Sequence, residues 1–286
     1  MKSKVLLTGS SGFIGSHLFS SAPDDIELIT ISHRTLANPS FDLPKVDYII
    51  HAAGYAAPSL FMKQPLETIQ VNTTSIFRLL GCFKDTKGTF LFCSSSEIYR
   101  GLTHAATEDE IGTTDPYHPR ACYIEGKRCG ETIMHYCRDL GFRAMSARIG
   151  LTYGPKTKAH DARVLNQLIE QALVSKKILL KDNGSATVSY TYSDDLAKML
   201  WNLVLNGTQP VYNVAGNHTT TIRELALRIG LLLDVDVSIP SGPDGSGQAQ
   251  MNLNRYYTEF GEPAYTSFAD GLSRTIDYQR GLYGVL

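Results

Sequence analysis

The chain has 286 residues, 43% of them hydrophobic and 19% charged, with a formal net charge of −1. That length can bury roughly three quarters of the unfolded surface, in one large domain or two interleaved ones, and the balanced charge excludes a protein drawn electrostatically to nucleic acid or anionic lipid. No apolar run approaches the ~20 residues of a membrane helix, and five cysteines without a CxxC pair read as reduced thiols of a cytoplasmic protein.

The chain opens on KVLLTG (4–9), a short buried strand ending in glycine rather than a signal peptide. GFIGSHLFSSA (12–22) follows with helical spacing. IELITIS (26–32), VDYIIHAAG (46–54), TFLFCSSS (89–96) and FRAMSARIG (142–150) read as further strands. Helical patterns fill the gaps at PLETIQVNTTSIFRLLGCFK (65–84) and CYIEGKRCGETIMHYCRDLG (122–141). Strands alternating with helices of this length predict an α/β fold, a doubly wound parallel sheet with helices on both faces. Beyond residue 150 the pattern loosens. DARVLNQLIEQALVSK (161–176) and TTIRELALRIGLLL (220–233) predict helices, YNVAG (212–216) a late strand, and SIPSGPDGSGQAQ (238–250) a loop. The expected layout is a dinucleotide-binding domain over 1–150, with a strand returning to it near 211–216, and a smaller, mainly substrate-binding domain over 151–286.

TGSSGFIG places Gly9, Gly12 and Gly15 between the first strand and the first helix. Glycines there allow a tight turn, close approach of a phosphate and close packing of helix on strand. The helix N-terminus then offers N–H groups to a pyrophosphate. The second strand ends in Ser32, His33 and Arg34, where an NAD site usually carries an acidic residue for the ribose. Arg34 either meets the 2′-phosphate of NADP or is a solvated loop residue. Asp42, in FDLP, could meet the adenine. The cofactor expected is NAD or NADP, with Ser32 and Arg34 favouring NADP.

Tyr123 and Lys127 stand four apart at the head of a helical segment, so they share a face with Cβ atoms about 5–6 Å apart. An ammonium near a phenol favours the phenolate and would lower the tyrosine pKa. Such a phenol can take a proton from an alcohol while hydride leaves its carbon. Ser95, at the end of the neighbouring strand, could hold the same alcohol.

With these residues in view, the chain resembles the extended short-chain dehydrogenases/reductases of the NAD-dependent epimerase/dehydratase family, over most of its length. TGSSGFIG resembles the cofactor loop, HAAG the strand beneath the nicotinamide, and YxxxK the catalytic pair. SSSEIY, PRACYIEGKR, DARVLNQLIEQAL and GLSRTIDYQRGL resemble the UDP-glucuronate decarboxylase branch. The resemblance implies a Rossmann-type sheet with a smaller C-terminal domain. It implies cofactor contacts from Gly9, Ser11, Gly12, Phe13, Ile14, Gly15, Ser32, Arg34, Asp42, Leu43, Ala52, Ala53, Gly54, Tyr123 and Lys127, with Asn72 supporting the site through backbone bonds. Tyr123, Lys127, Ser95 and Glu97 are implied as catalytic, and Tyr55, Ser96, Arg120 and Arg163 as substrate-binding. It also implies a homodimer through the helices at 65–84 and 122–141.

Enzymes of this group oxidise a sugar alcohol at C4 and differ in how they use the ketone. A 4,6-dehydratase carries an Asp-Glu pair at the strand end, which here reads Ser96-Glu97. A simple 4-epimerase generally carries no carboxylate there. The decarboxylases keep Ser-Glu, and a C4 ketone, β to the C6 carboxylate, can accept the electrons as CO₂ leaves. Three positions depart from the branch: Leu151 stands for an Asn that meets the diphosphate, Val188 for an Arg near the phosphates, and QAQMNLN carries no arginine until Arg255. The segment before VDYIIHAAG is short, which trims the adenine side. The eight histidines show no metal-like spacing, Trp201 reads as core, and EDE (108–110) as a solvated acidic loop.

The expected activity is an NAD(P)-dependent enzyme on a nucleotide sugar, working through transient C4 oxidation and most like a UDP-glucuronate decarboxylase. A 4-epimerase, a 4,6-dehydratase and an NADPH ketoreductase are the alternatives, and a non-catalytic dinucleotide sensor is the alternative of another class. The expected partners are a small-molecule substrate and a second copy of the chain, without nucleic acid or membrane.

Overall fold

A computed structural model describes residues 2–38, 40–83, 88–242, 244–245, 247 and 250–285. In the first half, short apolar runs form strands and the amphipathic stretches between them form helices. They run β1 (Ser3–Thr8), α1 (Phe13–Ser20), β2 (Ile26–Ile31), α2 (His33–Ala37), β3 (Tyr48–His51), α3 (Pro58–Phe61), α4 (Pro65–Asn72), α5 (Thr74–Leu80), β4 (Thr89–Ser95), α6 (Ala121–Asp139) and β5 (Arg143–Ile149). The second half continues with β6 (Leu151–Tyr153), α7 (Val164–Glu170), β7 (Lys177–Leu179), β8 (Thr187–Tyr192), α8 (Ser193–Asn206), β9 (Val211–Val214), β10 (His218–Thr221), α9 (Ile222–Leu233), β11 (Asp236–Ser238), α10 (Asn254–Phe260) and α11 (Phe268–Tyr283).

Six strands form one sheet in the order β2-β1-β3-β4-β5-β9, and every pair is parallel. This is the expected doubly wound α/β sheet. Its central strands are covered on both faces, so they read as continuous apolar runs; all of β4 is buried. Alternation along β1 splits the core. Val5 and Leu7 face Leu200, Trp201 and Val204 of α8, while Leu6 faces Ile76 and Leu79 of α5 and Met134 of α6. The chain leaves β2 and crosses β1 to reach β3, so strand order reverses between β1 and β3. Open α/β sheets bind ligands in the crevice outside such a reversal. The short segment before β3 leaves β2 at the sheet edge, which is the trimmed adenine side expected from sequence.

The remaining strands form small sheets, β10-β8-β6 and β11-β7. They enclose a second apolar cluster that includes Leu168, Ile169, Val188, Tyr190, Leu225, Ile229 and Leu272. No described helix is long and apolar enough to cross a membrane.

Several element boundaries differ from the sequence expectation. The single helix expected over 65–84 is two, α4 and α5, broken at Thr73 (φ −130°, ψ −77°), and Lys84 lies outside the described residues. Asn72 Nδ2 donates to Thr68 O at 2.8 Å and Thr73 Oγ1 to Ile69 O at 2.8 Å, side-chain bonds that compete with helix continuation. The helix expected from 161 begins at Val164, because Asp161 Oδ1 accepts from the backbone N–H of Arg163 and holds it extended. It ends in a π-turn at Gln171–Ser175. Residues 220–221, expected in a helix, finish β10, and Thr221 caps α9 instead. Positions 243, 246, 248 and 249 of the expected loop 238–250 lie outside the described residues.

Candidate active site

The sequence-expected residues gather at the carboxyl edge of the parallel sheet. Gly9 follows β1, Ser32 follows β2, Ala52–Gly54 follow β3, and Ser95 ends β4. The glycine loop is tight. Gly9 has φ +74°, and a Cβ there would lie 2.6 Å from Ala52 O across the strand-order reversal. A Cβ on Gly15 would lie 2.0 Å from Gly9 O. Gly12 begins α1 with no side-chain cap and no acidic residue in the first turn, so the helix N–H groups and their partial positive charge stay available. These features fit a dinucleotide pyrophosphate. Ser11 and Gly12 are exposed, Phe13 is half-buried, and Ile14 packs on the core.

At the β2 end, Ser32 Oγ accepts from Thr35 N at 3.0 Å and caps α2. Arg34 and Asp42 are exposed and Leu43 is half-buried; the side chain of His33 lies outside what is described. Arg78, from α5, pins this segment by donating to Thr35 O, Leu36 O and Phe41 O.

At the β3 end, His51 is fully buried. Its Nε2 meets Val71 O at 2.8 Å, and its Nδ1 meets Thr8 Oγ1 at 2.7 Å. A carbonyl can only accept, so Nε2 carries the proton and Nδ1 accepts from the Thr8 hydroxyl. Burial, more than the nearby Lys127, pushes the His51 pKa down to about 4. This neutral histidine ties β1, β3 and α4 together. Asn72, buried beside it, has no partner for Oδ1 among the described residues. A Cβ on Gly54 would lie 3.9 Å from that Oδ1 and 3.9 Å from Lys127 Nζ.

Tyr123 and Lys127, on the first turns of α6, are both buried. Tyr123 lies close enough to Ser95 for that side chain to favour the phenolate, and its ring stacks on Phe61 at 4.8 Å and 13°. One expectation is overturned. Lys127 Nζ donates to Cys93 O at 2.7 Å and stands 5.6 Å from the Tyr123 ring centre. Burial raises the Tyr123 pKa to about 12, against the effect of Ser95 and reinforced by the Glu97 charge, and burial lowers Lys127 to about 8. Burial favours the neutral form of both groups, so the phenol holds its proton.

Glu97, just beyond β4, pairs with Arg120 Nη1 at 2.7 Å. Arg120 therefore reaches a carboxylate of the chain itself. Ser96 and Tyr55 are half-buried at the same edge. Arg163 is held by Asp161, with Nη2–Oδ2 at 2.6 Å, and lies over the Phe13 ring at 4.4 Å, so it braces the glycine loop. Leu151 and Val188 face the second apolar cluster. The expected solvated loop at 108–110 holds at exposed Asp109 and fails at Glu108. Glu108 is 7% exposed and accepts from Asn213 N at 2.8 Å, while Arg255 bonds Asp109 at 2.8 Å.

Some residues gave no sequence signal. Phe61, the last residue of the short helix α3, lies 62 residues before its tyrosine partner. The Glu131–Arg148 pair at 2.8 Å, with Ser94 on Glu131 and Tyr99 on Arg148, joins α6 to β4 and β5 beneath the site. A glutamate four residues after Lys127 is the only hint that sequence offers of it.

The model of the NAD-dependent epimerase/dehydratase family matches residues 5–215. UDP-glucuronic acid decarboxylase 6 of Arabidopsis thaliana is 30% identical, over 94% of this chain and 86% of its own. The UDP-glucose 4-epimerase of Thermotoga maritima, solved with UDP-glucose, superposes with a TM-score of 0.81 at 20% identity, covering 98% of this chain and 99% of that one. RMD from Pseudomonas aeruginosa, complexed with NADPH, gives 0.80 at 22% identity, covering 98% of this chain and 100% of that one. Together with the glycine loop and the tyrosine–lysine pair at the sheet edge, these matches establish that the chain belongs to the NAD-dependent epimerase/dehydratase family.

Proposed function

We propose that the protein decarboxylates a UDP-uronate through a transient C4 ketone. The observation that carries this reading is the convergence of Tyr123, Ser95 and Lys127 with a Glu97–Arg120 pair at one strand end. The bound dinucleotide supplies the acceptor that takes the C4 hydride and later gives it back. Ser95 and Tyr123 orient the C4 hydroxyl, and Tyr123, after giving its own proton to solvent, takes the hydroxyl proton as the hydride departs. Lys127 stabilises the phenolate at that moment. Electrons of the C5–C6 bond then pass into the ketone as CO₂ leaves, and Glu97 assists by directing a proton to C5.

NADP is the preferred cofactor in this reading, because the β2 end carries Ser32 and exposed Arg34 instead of a carboxylate. Asp42 and Leu43 border the adenine, Ala52, Ala53 and Gly54 lie under the nicotinamide, and Tyr55 and Ser96 line the sugar pocket. The dinucleotide-binding part spans 1–150 with β9, and the rest mainly holds substrate. Leu66, 76% exposed, and Ile69 leave an apolar face on α4, and Tyr136 is exposed on α6, which fits a homodimer. The cysteines are unpaired, which fits the cytoplasm.

Incubation with a panel of nucleotide sugars, read by product mass, tests the reading. Loss of CO₂ from a uronate supports it. A 4-epimerised or dehydrated product moves the chain to another branch, and net oxidation of NADPH makes it a ketoreductase. Dinucleotide binding with no turnover of any substrate makes it a sensor.

A further inference from the structure

A uronate differs from its parent hexose by one negative charge at C6, so the site needs a guanidinium or ammonium that can face it. The arginines packed around the cleft are mostly spent. Arg163 has Nε and Nη2 on the Asp161 carboxylate and Nη1 on Thr152 O. Arg255 holds Asp109 and Val211 O. Arg128 holds Glu125, Ile98 O and Gly112 O. Arg148 is committed to Glu131 and Tyr99. Lys127 is buried on Cys93 O.

Arg120 is different. Its backbone stands at the N-cap of α6, three residues before Tyr123. Of its fork, Nη1 meets Glu97 Oε1 at 2.7 Å, while Nε and Nη2 meet no protein acceptor among the described residues, and the side chain is 31% exposed. A guanidinium accepts a carboxylate along each of its edges. One edge is fixed by Glu97, whose backbone N–H donates to Ser95 Oγ at 3.2 Å and whose charge acts on Tyr123, so the guanidinium is tethered beside that pair.

We infer that Arg120 is the specificity residue for the substrate's C6 carboxylate, gripping it with the unused edge of the fork while Glu97 holds the other edge. This rests on the uronate reading above. Glu97 then has a second consequence: its charge lies on the same guanidinium as the substrate's, so it weakens carboxylate binding even as it orients the anchor. Arg100, whose Nη1 stands 3.9 Å from Glu97 and whose side chain is 44% exposed, lies on the outer side and serves as a control.

The test is the ratio of Kd values for UDP-glucuronate and UDP-glucose, measured by calorimetry on protein loaded with the reduced dinucleotide, which cannot take the C4 hydride. Arg120→Gln weakens the uronate on the order of ten- to hundredfold and leaves the hexose unchanged, as expected for losing one charge-assisted bond. Arg120→Lys recovers part of that loss. Glu97→Gln, which keeps an oxygen for Nη1 but removes the charge, tightens the uronate several-fold and leaves the hexose alone. Arg100→Gln changes neither. Equal weakening of both ligands by Arg120→Gln, or no tightening by Glu97→Gln, overturns the anchor while the decarboxylase reading stands. Wild-type protein that binds neither nucleotide sugar overturns both.

Discussion

At the scale of single residues, spacing and chemistry part company between Tyr123 and Lys127. The four-residue interval puts both on one buried face, as the sequence implies, but their ionisation is governed by burial, which sequence does not display. Lys127 sits at about 8, below its ordinary 10.5, so between those values the unfolded chain binds more protons than the folded one. Stability therefore rises with pH across that window. Tyr123, at about 12 rather than 10, works the other way, and above pH 10 stability falls because the unfolded chain loses its phenol proton first. Urea denaturation at pH 8 and pH 10 checks the lysine term: between them the wild type gains stability relative to Lys127→Met, whatever the buried cysteines common to both contribute. His51 gives the acid-side counterpart. Held at about 4 against an ordinary 6.5, it makes stability fall as pH drops through that interval, and His51→Gln flattens the slope between pH 7 and pH 5. Tyr123→Phe, which keeps the ring stacked on Phe61, lowers turnover on the order of a hundredfold or more while dinucleotide binding persists, by fluorescence titration.

At the scale of elements, the glycine loop and the strands were legible because close packing demands particular residues. Gly15 admits no Cβ, since Gly9 O would lie 2.0 Å away. Gly15→Ala must push α1 off β1, and it weakens dinucleotide affinity on the order of tenfold or more, read by the same titration. The β4 run TFLFCSS was readable as a strand because both faces are covered. What escaped was local competition. The break at Thr73 comes from Asn and Thr side chains bonding back to their own helix, and the late start of α7 comes from Asp161 holding Arg163. Periodicity runs straight through both places. The buried Glu108 escaped for another reason. Its partners, Asn213 and Arg255, are more than a hundred residues away, and an acidic triplet offers no sign of them.

At the scale of the whole molecule, the sheet order β2-β1-β3-β4-β5-β9 brings residues from five separate stretches to one edge, and chain order alone predicts that gathering once the parallel sheet is recognised. The exposed apolar side chains on α4 and α6 belong to this scale too. Leu66→Asp, at a side chain 76% exposed, leaves the monomer folded and shifts a dimer to a monomer in light scattering. A monomeric wild type would remove the dimer from the account. In the proposed reaction a cofactor that stays in place oxidises C4 and restores it, and UDP-glucuronate deuterated at C4 reads that cycle. The account predicts a pentose product that keeps the deuterium on C4, with no reduced dinucleotide accumulating at its absorbance band. Deuterium appearing in released dinucleotide, or a single turnover with no transient absorbance of reduced nicotinamide, would rule that cycle out.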